Sequence, residues 1–223
     1  MKITSIVIGG SSGFGKYLVK YLKKKKHNVY FTGTKKKKGI KNYLKFDLFE
    51  TEDQKKLFKN IKNIKNINNI FYGIGDSNYS EEKIVNFKLL KKLLFINLDF
   101  PIKLLKFLDR YLSDQNIKIL FFGSDSVFNL KAKPSTIISK ASQIYLVKSH
   151  KFYFDKTNKQ VSTIILSPLL FPGSYWSKIK KIDKKKFDKK NKLNIFKHPR
   201  NYFKIIDTVL KTKKINGRVF KLS

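Results

Sequence analysis

The chain has 223 residues, 41% of them hydrophobic and 14% aromatic, enough to bury one sizeable core, and it carries a formal net charge of +35. It has no cysteine, which excludes disulfides, thiolate metal sites and a cysteine nucleophile, and its three histidines, His27, His150 and His198, are too scattered for a metal cluster. No apolar run approaches the ~20 residues that cross a bilayer, and the opening MKITSIVIGG lacks the apolar core and cleavage site of a secretory leader, so a soluble, cytoplasmic protein without a membrane partner is expected.

The charge has two readings. Fifty basic residues against 15 acidic ones suit a polyanion. Yet the only arginines are Arg110, Arg200 and Arg218, and the forked guanidinium is what base-edge and bidentate phosphate recognition exploits. The abundance of Asn, Ile, Phe and Tyr suits a coding sequence that has drifted toward A and T. Drift with solvated lysine faces is the favoured reading, and no specific nucleic-acid partner is expected.

Hydrophobic period and chain breakers set out the elements in order. Residues 3–8 are an apolar strand ending in glycine, residues 14–25 have Tyr17, Leu18, Tyr21 and Leu22 at helical spacing, and residues 28–31 are extended again. A strand follows at 43–46, then a helix to about Lys62 opened by a Thr51-Glu-Asp-Gln54 capping box. Residues 67–72 form the fourth strand, followed by a glycine-containing turn over 73–78. A long helical stretch covers about 81–112, broken near Asn97 to Pro101. Residues 117–122 are a strand, 135–151 a helix and 161–166 a strand, and the charged, low-complexity stretch 178–192 reads as a mobile loop or loosely packed lobe. Residues 200–211 are helical, and 218–222 make a last short strand after Gly217.

Continuous apolar strands alternating with helices predict an α/β fold, a doubly wound parallel sheet covered on both faces. In such a fold, the turn after the first strand is the customary phosphate site. Gly9, Gly13 and Gly15 fall there in VIGGSSGFGK. Glycine permits positive φ and close approach, while the N–H groups opening the helix at Phe14 face an anion and Ser11 and Ser12 add hydroxyl donors. A merely tight turn is the competing reading of this stretch.

The spacing Gly-x-x-x-Gly-x-Gly, with Ser-Ser inside, resembles the cofactor turn of the short-chain dehydrogenases/reductases, a family that binds NAD or NADP on a single Rossmann domain. Further matches follow in order over nearly the whole chain. Asp47 in LKFDL matches the family's aspartate beside the adenine ring. Gly73 and Gly75 in FYGIG lie where the family has Asn-Asn-Ala-Gly, with both asparagines gone. Asn97 in FINLDFP resembles the helix asparagine that helps hold a relay water, and Ser124 in ILFFGSDS resembles the substrate-binding serine. Pro168 in IILSPLL matches the proline near the nicotinamide, and INGRVFKLS is similar to the closing strand.

The resemblance therefore implies one Rossmann-type domain over residues 1–223 with a Lys-rich lid or insertion at about 172–197. An acidic residue after the second strand would bind the adenosine ribose and repel a 2′-phosphate. Thr34 and Lys35 stand there instead and favour NADP(H) over NAD(H), unless residues 35–38 are only a solvated lysine run.

The family's central Tyr-x-x-x-Lys is altered. PSTIISKAS places Lys140 in the lysine position, where the resemblance gives it the nicotinamide ribose as partner, and Thr136 where the proton-transferring tyrosine belongs. A threonine hydroxyl is a far weaker acid than a phenol of pKa ~10, although it can still hydrogen-bond a carbonyl. Tyr145, five residues beyond Lys140, points elsewhere on the helix, which leaves Tyr72 as the nearer replacement.

The implied function is an NADP(H)-dependent oxidoreductase of the short-chain type acting on a small carbonyl or alcohol with atypical proton delivery. Its catalytic group would be Asn97, Ser124, Thr136 and Lys140. Its cofactor would be held by Gly9, Ser11, Ser12, Gly13, Phe14, Gly15, Thr34, Lys35, Asp47, Gly73, Lys140 and Pro168. The alternative is a catalytically impaired NAD(P)-binding regulator or scaffold. Phe171, Tyr175 and Trp176 offer apolar walls for a substrate or ordinary lid packing, and the family's habit implies a homodimer or homotetramer.

Overall fold

The computed structural model describes residues 2–75, 84–129, 133–154, 156–172, 174–191 and 196–222. Their strands are β1 (Thr4–Ile8), β2 (Asn28–Gly33), β3 (Tyr43–Lys45), β4 (Ile67–Tyr72), β5 (Ile117–Ser124), β6 (Lys159–Leu166) and β7 (Arg218–Lys221). They form one sheet in the order β3-β2-β1-β4-β5-β6-β7, with every neighbouring pair parallel. Chain order reverses between β1 and β4, which opens the crevice where ligands bind in doubly wound sheets.

The helices are α1 (Gly13–Lys24), α2 (Thr51–Asn63), α3 (Phe87–Leu94), α4 (Phe100–Tyr111), α5 (Ser126–Asn129), α6 (Pro134–Ser149), α7 (Lys151–Phe154), α8 (Tyr175–Ile182), α9 (Lys184–Asn191) and α10 (Phe203–Lys211). The strands are apolar on both faces because both are covered. Ile6, Ile8, Ile70, Tyr72, Ile119 and Phe121 pack with Leu57 and Ile61 of α2 and Leu104 and Leu108 of α4. The intervening Val7, Phe31, Phe71, Leu120 and Phe122 pack with Leu18, Val19 and Leu22 of α1 and Ile206 and Val209 of α10. Each such side chain buried on folding contributes roughly 1.5–3 kcal/mol.

Three local expectations are corrected. The capping box at residues 51–54 does not form: Glu50 is the N-cap without a side-chain bond, and Gln54 is buried, donating to the Leu48 carbonyl at 2.8 Å. Asp53 ties down this end instead, accepting from Lys45 Nζ at 2.6 Å and the Asp47 N–H at 2.9 Å. The predicted break near Asn97 is a π-helical turn, Phe95–Asp99, leading without interruption from α3 into α4; Pro101 has no N–H to continue the ladder, and the Ile96 carbonyl accepts from the Tyr72 hydroxyl at 2.6 Å instead. The charged stretch 178–192 is largely helical, forming most of α8 and α9 with Ile179 and Phe187 buried, because apolar residues recur among its lysines. The expected start of the long helix at residues 81–83, residues 76–78 of the glycine turn and the end of the charged stretch at residue 192 lie outside the described residues.

The end of α4 is closed by a buried lysine. Lys159, at the start of β6, donates from Nζ to the carbonyls of Leu112, Ser113 (3.1 Å) and Gln115 (3.0 Å). The Lys159→Met substitution leaves these acceptors without that donor, so unfolding in urea should move to a lower midpoint, by about 1–3 kcal/mol, with unchanged slope.

Candidate active site

The glycine turn sits at the reversal point of the sheet. Gly9 has φ +88°, and a Cβ there would lie 3.0 Å from both the Gly73 carbonyl carbon and the Ile74 nitrogen. The Gly73 N–H donates to the Ile8 carbonyl at 2.8 Å. The turns after β1 and β4 are thus pressed backbone to backbone. Gly15 has the tightest requirement: a Cβ there would be 2.2 Å from the Gly9 carbonyl oxygen. Gly13 differs, because its φ is +54° and, apart from its chain neighbours and its own helix backbone, no described atom lies within 4 Å of where a Cβ would stand.

That open position begins α1. Ser12 is its N-cap and makes no side-chain capping bond, and no acidic residue occupies the first turn. The opening N–H groups and the positive end of the helix dipole are therefore available to an anion. The open cradle fits a diphosphate, since a side chain at Gly13 would fill the space that such a group needs. Lys16, exposed in the same turn, adds positive charge.

Two residues outside the glycine pattern hold this turn in place. Thr32 of β2 accepts the Gly9 N–H on Oγ1 at 2.8 Å. Ser11 packs onto the end of β2 so closely that a Cβ on Gly33 would be 2.2 Å from its Oγ. Tyr43 donates from its hydroxyl toward the carbonyls of Gly33 (2.9 Å) and Lys35. These contacts bring Ser11 beside the strand end that presents Thr34 and Lys35, both exposed. Nothing in the glycine spacing points to Thr32 or Tyr43, because their roles depend on β2 lying next to β1 and β3.

The other end of the cleft is built on β5 and α6. Phe122 joins the two ends: its ring meets Phe14 edge-on at 4.9 Å, and its carbonyl accepts from Lys140 Nζ at 3.0 Å. Lys140 is half-buried, and desolvation pushes its pKa down to about 8. Thr136 lies one turn earlier on the same side of α6, and its carbonyl accepts from Ser139 Oγ at 3.2 Å. Ser124 ends β5, with its Oγ 2.8 Å from Ser126 Oγ and 3.3 Å from the Ser126 nitrogen.

Asn97 reaches these groups through Ser139. It is buried in the π-helical turn, with Nδ2 donating to Ser139 Oγ at 3.2 Å and Oδ1 facing Gln143 Nε2 at 3.5 Å. Asp47 lies beyond β3, where its carboxylate accepts the Phe49 N–H at 3.0 Å. Pro168 follows β6 and accepts the Lys197 N–H at 2.9 Å, next to Ser167, whose N–H donates to the Tyr202 hydroxyl at 2.6 Å.

Neither tyrosine considered as a substitute meets Thr136. Tyr72 is fully buried, donates to the Ile96 carbonyl at 2.6 Å and has its pKa pushed well up by burial. Tyr145 is 68% exposed. Of the expected apolar walls, Phe171 packs on Tyr17 at 5.2 Å and Trp176 on Phe196 at 5.2 Å, which is packing within the 172–197 segment and onto α1. The side chain of Tyr175 lies outside the described residues.

No family model matches the sequence, and no curated protein matches it. Solved structures do. A short chain dehydrogenase family protein from Francisella tularensis is 24% identical, with all of this chain and 97% of that one aligned at a TM-score of 0.80. A short chain dehydrogenase from Leptospira borgpetersenii with bound NAD+ is 14% identical, with 100% and 92% aligned at 0.80. An alternative dihydrofolate reductase 1 from Brucella canis complexed with NADP is 15% identical, with 99% and 92% aligned at 0.75. This likeness establishes the α/β fold over the whole chain.

The two helical glycines should respond differently to alanine. Gly15→Ala drives a methyl into the Gly9 carbonyl and should cost about 3 kcal/mol in chemical denaturation. Gly13→Ala meets only the positive φ, at about 1–2 kcal/mol, and should stay folded.

Proposed function

We propose that the chain is a divergent short-chain dehydrogenase/reductase that uses NADP(H) to interconvert a small carbonyl compound and its alcohol. The observation that carries this reading is the open cradle at Gly13, at the uncapped start of α1 and joined through Phe14 and Phe122 to the half-buried Lys140. The likeness in fold to proteins solved with NAD+ and with NADP supports it.

When bound, the nicotinamide supplies or accepts the hydride. The chain's own residues bind and move the proton. Gly9, Gly13, Gly15 and the N–H groups from Phe14 onward cradle the diphosphate, with Ser11 and Ser12 as added donors. Thr34 and Lys35 follow β2 with no carboxylate among them, so a 2′-phosphate meets positive charge there and no repulsion. Asp47 faces the adenine end, while Gly73 and Pro168 border the cofactor through their backbones. Residues 172–197 serve as the lid.

At the reacting end, Ser124 and Thr136 hydrogen-bond the substrate oxygen. Thr136 does not ionise within the working range, so it relays a proton from Lys140, whose ammonium is made more acidic by desolvation. Asn97 is a positioning residue, because its amide is spent on Ser139 and so fixes α6 against the π-helical turn.

Three measurements test this reading. Calorimetry should show saturable binding of NADPH tighter than NADH, and no heat with either at millimolar concentration overturns the proposal. Thr136→Tyr restores a phenol one turn from Lys140 and should raise carbonyl reduction on a substrate panel by about 10²-fold or more with cofactor affinity unchanged; saturable binding with no turnover in either form would leave a cofactor-binding regulator or scaffold. Reduction by the natural sequence should be level below pH 8 and fall as pH rises through about 8, where Lys140 loses its proton, and alcohol oxidation should gain over the same range.

A further inference from the structure

Most of the +35 charge is not used by the proposed chemistry, and one part of it lines a recess on the far side of the molecule. All strands run parallel, so residues preceding them lie at the opposite end of the sheet from the glycine turn. There, two adjoining cavities of about 650 and 450 Å³ share Ile3, Lys25 and His27. The first is completed by Lys2, Lys23 and Lys26. The second runs over the starts of β4 and β5 to α10 and is lined by Asn68, Asn116, Leu210 and Lys211 among others.

We propose that this recess binds single-stranded nucleic acid, with phosphates among the lysines of the first cavity and a base in the second. The proposal is independent of the dehydrogenase reading.

The charge there is largely uncompensated. Among the described residues Asp207 is the only carboxylate lining either cavity, and it is engaged by Tyr21 (2.6 Å) and Lys25 (3.0 Å). The ends of α1 and α10 direct carbonyls this way, but these are already satisfied. Lys118 Nζ donates to the carbonyls of Leu210 and Thr212 (2.8 Å), and the Lys26 and His27 N–H groups donate back to Lys23 (2.9 Å) and Leu22 (3.1 Å). His27 shares a hydrogen bond with Ser5 Oγ at 2.9 Å, and burial lowers its pKa, so the lysines supply the charge.

The second cavity suits a base rather than another phosphate. Asn68 Oδ1 accepts the Thr4 N–H at 2.8 Å, which leaves its amide NH₂ to donate outward, while Asn116 is exposed and Ile3 and Leu210 give apolar contact. A lipid surface has no use for a recess of this kind, and inorganic polyphosphate has none for the amides. None of the three arginines lines it, so recognition is led by the backbone and tolerant of sequence.

The test is fluorescence anisotropy of a labelled mixed-sequence 20-mer RNA with the full chain across a salt series. The triple variant Lys2→Gln, Lys23→Gln, Lys26→Gln should lose at least tenfold in affinity, and its salt slope should fall by about 2, at ~0.7 per phosphate contact on a single strand. A matched triple on the lid, Lys178→Gln, Lys184→Gln, Lys185→Gln, should lose less than threefold. Equal losses from the two triples overturn the proposal, as does an abasic sugar-phosphate chain or inorganic polyphosphate competing as well as the RNA per phosphate. Should the first triple fail to fold, lysine acetylation of the natural sequence decides: Lys2, Lys23 and Lys26 must be protected by the RNA, and unchanged labelling sinks the idea.

Discussion

Gly15 stands so close to the Gly9 carbonyl oxygen that a methyl carbon would be 2.2 Å from it, and Gly9 in turn touches the backbone at Gly73 and Ile74. This contact sets where α1 begins and how it crosses the sheet. Because the turn is pressed down at Gly9 and Gly15 and open at Gly13, the helix presents free N–H groups over the reversal point of the strand order. Phe14, the next side chain, then falls on Phe122, and through the Phe122 carbonyl the glycine turn is linked to Lys140 across the sheet. A clash of a single Cβ at this point would tilt the helix away and separate the two halves of the cleft.

The second constraint is desolvation. Lys140 is half-buried with one carbonyl as its described hydrogen-bond partner, so its charged form is less favoured than in water. In a site with a phenol, such an ammonium would act on the neighbouring hydroxyl. Here the neighbour one turn away is Thr136, and the tyrosines that the sequence offered as substitutes are committed elsewhere, Tyr72 in the core and Tyr145 toward solvent. In the proposed reaction the proton therefore comes from the lysine.

Lysine has several physical roles in this chain. Lys159 and Lys118 carry their ammonium groups to carbonyls at the ends of α4 and α10, where the helix dipole is negative and donors are needed. Others flank apolar rings, as Lys23 does over Phe31 at 5.0 Å and Lys180 over Phe187 at 5.4 Å. Those of the sheet's amino-terminal recess face a space with one carboxylate, already paired.

Much of the architecture was legible because apolar runs and breakers depend on near neighbours. The strand expected at residues 67–72 is β4 to the residue, and α1 begins one residue before its expected start. The capping box failed because Gln54 found a partner in Leu48, a packing choice that local spacing does not encode. The helical state of α8 and α9 was hidden by lysine-rich composition, since the burial of Ile179 and Phe187 depends on what lies beneath them. The sequence by itself determined the alternation of strand and helix and the glycine turn after β1, both set by residue type and order along the chain. Only the tertiary structure decided that Thr32 and Ser11 hold that turn, that Lys140 is bonded to the Phe122 carbonyl and that Asn97 is spent on Ser139, because hydrogen bonding and desolvation depend on which distant segments the fold brings together.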